Sequence, residues 1–395
     1  MKTIITGGAG FIPSNARKEQ PKLRVLQVGK FYAPHRGGIE THLQALCGVL
    51  RQHADLNVIV SNENRETVEE IVDSVPVVRL STLITAFSTP ISLGMASRIR
   101  HSGADLVHIH WPNPTAVLAY LASGHRGTLV FTYHSDTIKQ KVLGPLFEPI
   151  LKMVLRKSAA IIAASPNYVA SSPILQAFRD RCHVIPFGID TTQFERRDPE
   201  AVRQVRDQHG ERLIVSVGRL VYYKGFDVLI RAMASVRGKL VIIGDGPLRA
   251  ELESLALQLG VSDKVVFAGE ISDAAVRAHY HAADLFVLAS VARSEALGIV
   301  QIEALAAGLP VVNTNLDTGV PFVSLDGQTG LTVPPGNSQA LAAAINRLLD
   351  DDVLRHTFGQ AGVRRAQQEF SLDSMLRRTL DLYQTVRANV GARVP

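Results

Sequence analysis

Short runs of β-branched and other apolar residues recur along this chain, each followed by a longer stretch whose apolar positions lie three and four apart. Runs of the first kind predict strands at Arg24–Val28, Leu56–Val60, Leu106–Ile109, Leu129–Tyr133, Ala159–Ala163 and Cys182–Ile185. They resume at Leu213–Val217, Leu240–Ile243, Val265–Phe267, Leu285–Leu288 and Val311–Asn313. Strands that alternate with helices imply right-handed βαβ units and parallel sheets. The one long polar break, PFGIDTTQFERRDPEAVRQVRDQHGE at 186–211, falls near mid-chain and reads as a connection between two doubly wound α/β domains. The pattern thus divides the chain into an appendage (1–21), a first domain (22–187), a linker (188–211), a second domain (212–370) and a terminal segment (371–395). That last segment predicts an amphipathic helix, with Leu376, Leu380 and Tyr383 at helical spacing.

Length and composition agree with two ordinary cores: 395 residues, 46% apolar and 20% charged. The two cysteines, Cys47 and Cys182, have no CxxC partner and read as packed thiols of a reducing compartment. A net charge of +6 and an isoelectric point near 9.4 favour anionic partners such as phosphates, nucleotides or an acidic membrane surface. No block of Lys and Arg interleaves with aromatics, which argues against nucleic acid. MKTIITGG lacks the apolar run of a signal peptide, so the expected location is cytoplasmic, with the inner face of the plasma membrane open to it. The basic stretch IKQKVLGPLFEPILKMVLRKS (138–158) carries five Lys/Arg against one Glu. It reads equally as a membrane-surface helix and as a helix covering the first sheet.

The opening TGGAGFI (6–12) resembles the start of NAD-linked nucleotide-sugar epimerases and dehydratases. A dinucleotide turn needs a third glycine, a full helix and an acid about 20 residues on. Here Pro13 stands at the third glycine position, Pro21 follows within eight positions, and the region where the acid belongs reads QVGK. The segment is therefore read as an appendage, and an oxidoreductase has no other support.

Chemistry-bearing residues collect after the predicted strands. Gly37-Gly38 precedes a helix, which fits either a phosphate cradle or an ordinary tight turn. In SVGRLVYYKGF, Arg219 and Lys224 follow a strand at the edge where open α/β sheets bind ligands, and two cations there suit a diphosphate. IGDGP brings Gly246 to a similar turn. In VARSEALGIVQIEALAAGLP, Glu295 lies on a loop, while Gly298, Ile299 and Val300 open a short helix carrying Glu303. That arrangement offers amides to a phosphate and a carboxylate to ribose hydroxyls. His108 and His110 share a strand face and look like a metal pair, but with no third ligand nearby in the sequence, packing or acceptor contact is the preferred reading.

Together GGIETH, VGRLVYYKG, IGDGP, VFAGEI and the pair Glu295/Glu303 resemble the retaining group-4 glycosyltransferases, a family of bacterial mannosyl- and glucosyltransferases. The resemblance runs from about Leu23 to the end. It implies the GT-B fold, in which two Rossmann-like domains face each other across a cleft and the last helix crosses back to the first. It implies a hexosyl transfer from a nucleotide-diphosphate sugar to a glycan or lipid-linked hydroxyl in surface polysaccharide synthesis, with the family's frequencies favouring GDP-mannose. Arg219, Lys224 and the backbone at Gly37-Gly38 would hold the diphosphate, Glu303 the ribose and Glu295 the sugar. His134, in TYHSD, would face the donor sugar, and the base would lie near Gly269–Ile271. No cofactor or metal is implied. Two positions depart from the pattern: Ile299 stands where an aromatic is common, and NLDTGVPFVSLDGQTG lacks the usual glycine pair and acid. The competing reading is a catalytically silent nucleotide-sugar-binding partner of another transferase.

Overall fold

A computed structural model describes residues 22–391 apart from 36, 87, 88 and 137–142. The opening glycine motif and the start of the basic stretch lie outside the described residues. The first sheet is built from β1 (Leu23–Val28), β2 (Ala54–Ser61), β3 (Val68–Val72) and β4 (Val75–Leu80). A separate hairpin, β5 (Ile84–Ala86) and β6 (Thr89–Ile91), precedes its remaining strands β7 (Leu106–Trp111), β8 (Thr128–Tyr133), β9 (Ala160–Ala163) and β10 (Cys182–Val184). The second sheet holds β11 (Leu213–Val217), β12 (Lys239–Ile243), β13 (Val265–Gly269), β14 (Leu285–Val287), β15 (Val311–Thr314) and β16 (Gly330–Val333).

The first sheet has the order β10-β9-β8-β7-β1-β2-β4-β3 and the second β13-β12-β11-β14-β15-β16, with every pairing parallel except β3 on β4. Both are doubly wound. Alternate residues feed the two faces: Val215, Val241 and Ile243 enter one core of the second sheet, and Ile214, Leu240 and Ile242 the other.

The eleven strands expected from the apolar runs all form, within two residues at each end. Those the pattern misses are the outer strands β4 and β3 of the first sheet, the hairpin β5–β6 and the edge strand β16. β3 reads VEEIV and is exposed along most of its length, so it shows no apolar alternation. Its turn to β4 uses Asp73 and Ser74, both at positive φ, with none of the glycine that usually announces such a hairpin.

The polar interval also needs correcting. The spacing reads 188–211 as a linker, yet Pro199–His209 is a helix, capped by the Asp198 carboxylate accepting from the amides of Glu200 and Ala201. It packs on the helix Asp273–Ala282 and belongs to the second domain. Its buried face is only Ala201, Val202, Val205 and His209, so charge masks its periodicity.

The terminal helix Leu372–Gly391 lies against Gly38–Leu50, burying Met375, Leu382, Tyr383 and Val386 in a core of the first domain. The two chain crossings touch: Ile189 N donates to Phe370 O at 2.8 Å and Leu372 N to Ile189 O at 3.0 Å. Leu382 is the simplest test of this docking. Leu382→Ala should destabilise the chain by about 2–4 kcal/mol in urea unfolding; a loss below about 0.5 kcal/mol would mean the helix is not held there.

Candidate active site

The carboxyl ends of both sheets converge. On the second domain, Arg219 follows β11 and is exposed, with no acidic partner among the described residues. Lys224 closes a short helical turn and folds back under Gly218. Its Nζ lies 2.6 Å from Glu295 Oε2, with each side chain about one-tenth exposed. Ser290 Oγ donates to the same oxygen at 3.1 Å, so the carboxylate is fixed from two sides. The sequence reading gives Lys224 to the phosphates and Glu295 to the sugar; the structure brings them together as an ion pair.

The helix Ile299–Ala306 begins three residues after Ala296, with Gly298 as its N-cap at φ 74°. Gly298 has no side chain to cap the helix; Gln301 N donates to Gly298 O at 2.9 Å, and the amides of Ile299 and Val300 before it have no side-chain cap, an arrangement that can take an anion. Glu303, one turn in, accepts from Tyr280 OH at 2.9 Å. Burial raises its pKa above the ordinary carboxylate value, and the tyrosine bond lowers it in part. Gly246 lies on the loop after β12, beside Leu220.

Across the cleft stands Gly38, the first residue of its helix. A Cβ there would sit 3.9 Å from Ile299 Cδ1. The start of the Gly38 helix therefore lies beside the start of the Ile299 helix, which the sequence could not reveal because 261 positions separate Gly38 from Ile299. Two further bridges went unread. Arg293 Nη2 meets Asp136 Oδ2 at 3.2 Å, joining the loop before Glu295 to the loop after His134. Ser171 Oγ donates to Asp317 O at 2.7 Å.

His134 follows β8 and is 3% exposed. It stacks on His110, lies edge-on to His42 and has Phe187 beside it. The expectation that His110 has no third ligand nearby is overturned: ring nitrogens of His42, His110 and His134 lie within 4.8 Å of one another, and His108 is not among them. Such a trio has the donor chemistry of a transition-metal site. Yet His110 Nδ1 and His134 Nε2 are 3.0 Å apart and already hydrogen-bonded, and the Nδ1 atoms of His42 and His134 have no partner among the described residues to orient the rings as ligands.

Two family models cover most of the chain: Glycosyltransferase Family 4 over residues 36–193 and Glycosyl transferases group 1 over 198–365. An O-antigen chain mannosyltransferase C of Escherichia coli is 33% identical over 92% of this chain and 99% of its own. The chain belongs to this glycosyltransferase family. Other similar proteins are a D-rhamnosyltransferase of Pseudomonas aeruginosa, 33% identical over 72% of this chain and 75% of its own, and a GDP-mannose-dependent phosphatidylinositol monomannoside mannosyltransferase of Mycolicibacterium smegmatis, 30% identical over 86% and 92%. Among solved structures, Anabaena HepE in complex with UDP superimposes with a TM-score of 0.76 at 21% identity, over 92% of this chain and 100% of that one. The fold is GT-B. Neither family model reaches residues 1–21.

Burial of the histidines should also make the fold sensitive to acid. It pushes His42 and His108 down to about 3 from the usual 6.5, and His110 and His134 well below that usual value. An unfolded chain would protonate all four first, so folded stability should fall as pH drops below 6.5, by up to about 1.4 kcal/mol per pH unit for each imidazole. Between pH 6.5 and 5.5 the urea midpoint should drop, and His108→Gln should flatten the slope. A flat midpoint in the parent protein would contradict buried neutral histidines.

Proposed function

We propose that the glycosyltransferase moves a hexose from a nucleotide-diphosphate sugar to a hydroxyl of a glycan or lipid-linked acceptor, with retention of anomeric configuration and no metal. The observation that carries the reading is the cleft itself: Lys224, paired with Glu295, and the uncapped helix start at Gly298–Val300 stand opposite the bare backbone of Gly38. A diphosphate carries about two negative charges, and this is where amides, a helix dipole, Lys224 and Arg219 can all reach one anion. When it binds, Lys224 has an alternative to Glu295, which frees the carboxylate for sugar hydroxyls.

The chemical demand is on the leaving group. As the anomeric bond breaks, negative charge grows on the diphosphate, and donors already in place stabilise it without reorganising. Glu303, held by Tyr280, is placed to accept from ribose hydroxyls, with the base toward Gly269–Ile271. His134 is buried and neutral, which suits positioning of the sugar better than ionic catalysis. The names of the Escherichia coli and Mycolicibacterium smegmatis relatives support mannose, and GDP-mannose in particular, as donor, in surface polysaccharide or glycolipid synthesis.

Donor hydrolysis across GDP-, UDP- and dTDP-sugars in excess chelator tests this. One donor should turn over, and Lys224→Ala should lower the rate by about 10²–10³-fold. Abolition by chelator would refute metal independence; tight nucleotide binding without turnover, even with acceptor glycans supplied, would instead favour a silent partner subunit.

The reading extends to an anionic membrane surface. No helix among the described residues is long and apolar enough to cross a bilayer. Leu143–Lys157 buries Leu151, Val154 and Leu155 on the first sheet and leaves Met153, Arg156 and Lys157 exposed. Both readings of the basic stretch can therefore hold for one helix. Binding to vesicles rich in anionic lipid should weaken steeply between 50 and 200 mM salt, on the order of the Debye screening expected for surface charges; indifference to lipid charge would end the idea.

A further inference from the structure

Behind His134 runs an unbroken chain of buried hydrogen bonds that ends on the terminal helix. His134 Nε2 is 3.0 Å from His110 Nδ1, and His110 Nε2 is 2.9 Å from Gln27 Oε1. Gln27 Nε2 donates to Tyr383 OH at 3.0 Å. Tyr383 OH is 2.7 Å from His108 Nδ1, and His108 Nε2 is 2.6 Å from Thr132 Oγ1. All six side chains belong to residues at most 3% exposed, so water does not compete for these bonds.

Donors and acceptors along this chain are not free to choose. The Gln27 amide oxygen can only accept, so His110 must carry its proton on Nε2. A neutral His110 then has a bare Nδ1, which can only accept from His134 Nε2–H. A neutral His134 is left with a bare Nδ1, and that atom has no partner among the described residues. At the other end, Tyr383 OH already accepts from Gln27, so its hydrogen goes to His108 Nδ1, and His108 Nε2–H goes to Thr132. Rotating the Gln27 amide by half a turn would reverse every bond at once and place a hydrogen on His134 Nδ1. That order is disfavoured, because a buried N–H without an acceptor is rarer and costlier than an unused lone pair.

We propose that Gln27 and Tyr383 are positioning residues that hold His134 in the Nε2–H tautomer, so that it offers its ligand a bare nitrogen and never a proton. The terminal helix is thereby coupled to the site through Tyr383, although Leu372–Gly391 supplies no residue to the cleft as described above. This rests on the reading that His134 meets the donor sugar. It adds a specificity rule: His134 Nδ1 is closed off from solvent, so the bound sugar must uncover it and present a hydroxyl that donates to it, and a donor sugar deoxygenated at that hydroxyl would be discriminated against at the transfer step.

Two-bond proton–nitrogen correlation spectra of protein labelled with ¹⁵N-histidine read the tautomers directly, with His134 assigned by its loss in His134→Asn. In the parent protein His110, His134 and His108 should all be protonated at Nε2. Tyr383→Phe keeps the packing but leaves a Gln27 N–H without its acceptor in the present order, a cost comparable to the unpaired N–H on His134 in the reversed one, so His134 should show both tautomers. Its kcat should fall severalfold with KM changed less than twofold. A hydrogen on His134 Nδ1 in the parent protein would overturn the proposal. So would a tautomer unmoved in Tyr383→Phe, or the loss of the His134 Nε2–H signal on saturation with Zn²⁺ at micromolar concentration, which would make the histidine trio a metal site. A shifted tautomer with unchanged kcat would leave the bond chain standing and overturn its link to the sugar, and with it the role given to His134.

Discussion

Lys224 and Glu295 sit 2.6 Å apart where little water reaches either. Taking two charges out of water costs several kcal/mol per ion, and their attraction repays that only with good geometry and further hydrogen bonds. Ser290 supplies one such bond, and the loop carrying Glu295 is pinned by Val291 N donating to Tyr223 O at 2.8 Å. The pair thus fixes the β11 loop and the β14 loop relative to each other before any ligand arrives. On the proposed reading it also stores a cation and a carboxylate at the place where a charged leaving group and a polyhydroxyl group would be held side by side. Preorganisation of this kind is what lets fixed charges act on a developing anion without reorganising.

The same constraint explains why two domains are needed. On the proposed reading, the helix amides at Ile299 and Val300 form one wall of an anion site and the backbone at Gly38 forms the other, where an added Cβ would rest in ordinary contact, 3.9 Å from Ile299 Cδ1. The walls are kept in register by Asp136–Arg293 and by the double crossing in which Ile189 lies between Phe370 and Leu372. The terminal helix then anchors on the first domain through Leu382 and Tyr383. Removal of the final segment would therefore disturb the cleft as well as a core.

Much of this is legible from sequence for a definite reason. Buried parallel strands are continuous apolar runs, so β1, β7, β11 and β12 announce themselves, and residues that touch ligands follow strand ends, which places Arg219, Lys224, Glu295 and Glu303 on one edge. Edge strand β3 stays hidden because exposure on most of its length removes the alternation, and Pro199–His209 stays hidden because only four positions of that helix are covered. The site's long-range partners are hidden for a different reason. His42, His110 and His134 come from three separate elements, and Gln27 and Tyr383 are 356 positions apart. No local pattern carries such pairings. Tyr383 shows only as an apolar-face residue of an amphipathic helix, while its hydroxyl is what the buried chain of bonds turns on.

The claim on which all of this depends is that one diphosphate is held by both domains at once. Hydrogen–deuterium exchange with saturating GDP, and with UDP, ADP and dTDP for comparison, measures that directly. For whichever nucleotide binds, protection should rise together in the segment around Gly38 and in the segment around Ile299–Gln301. Protection confined to the second domain, at a nucleotide concentration that saturates the site, would contradict the shared cleft.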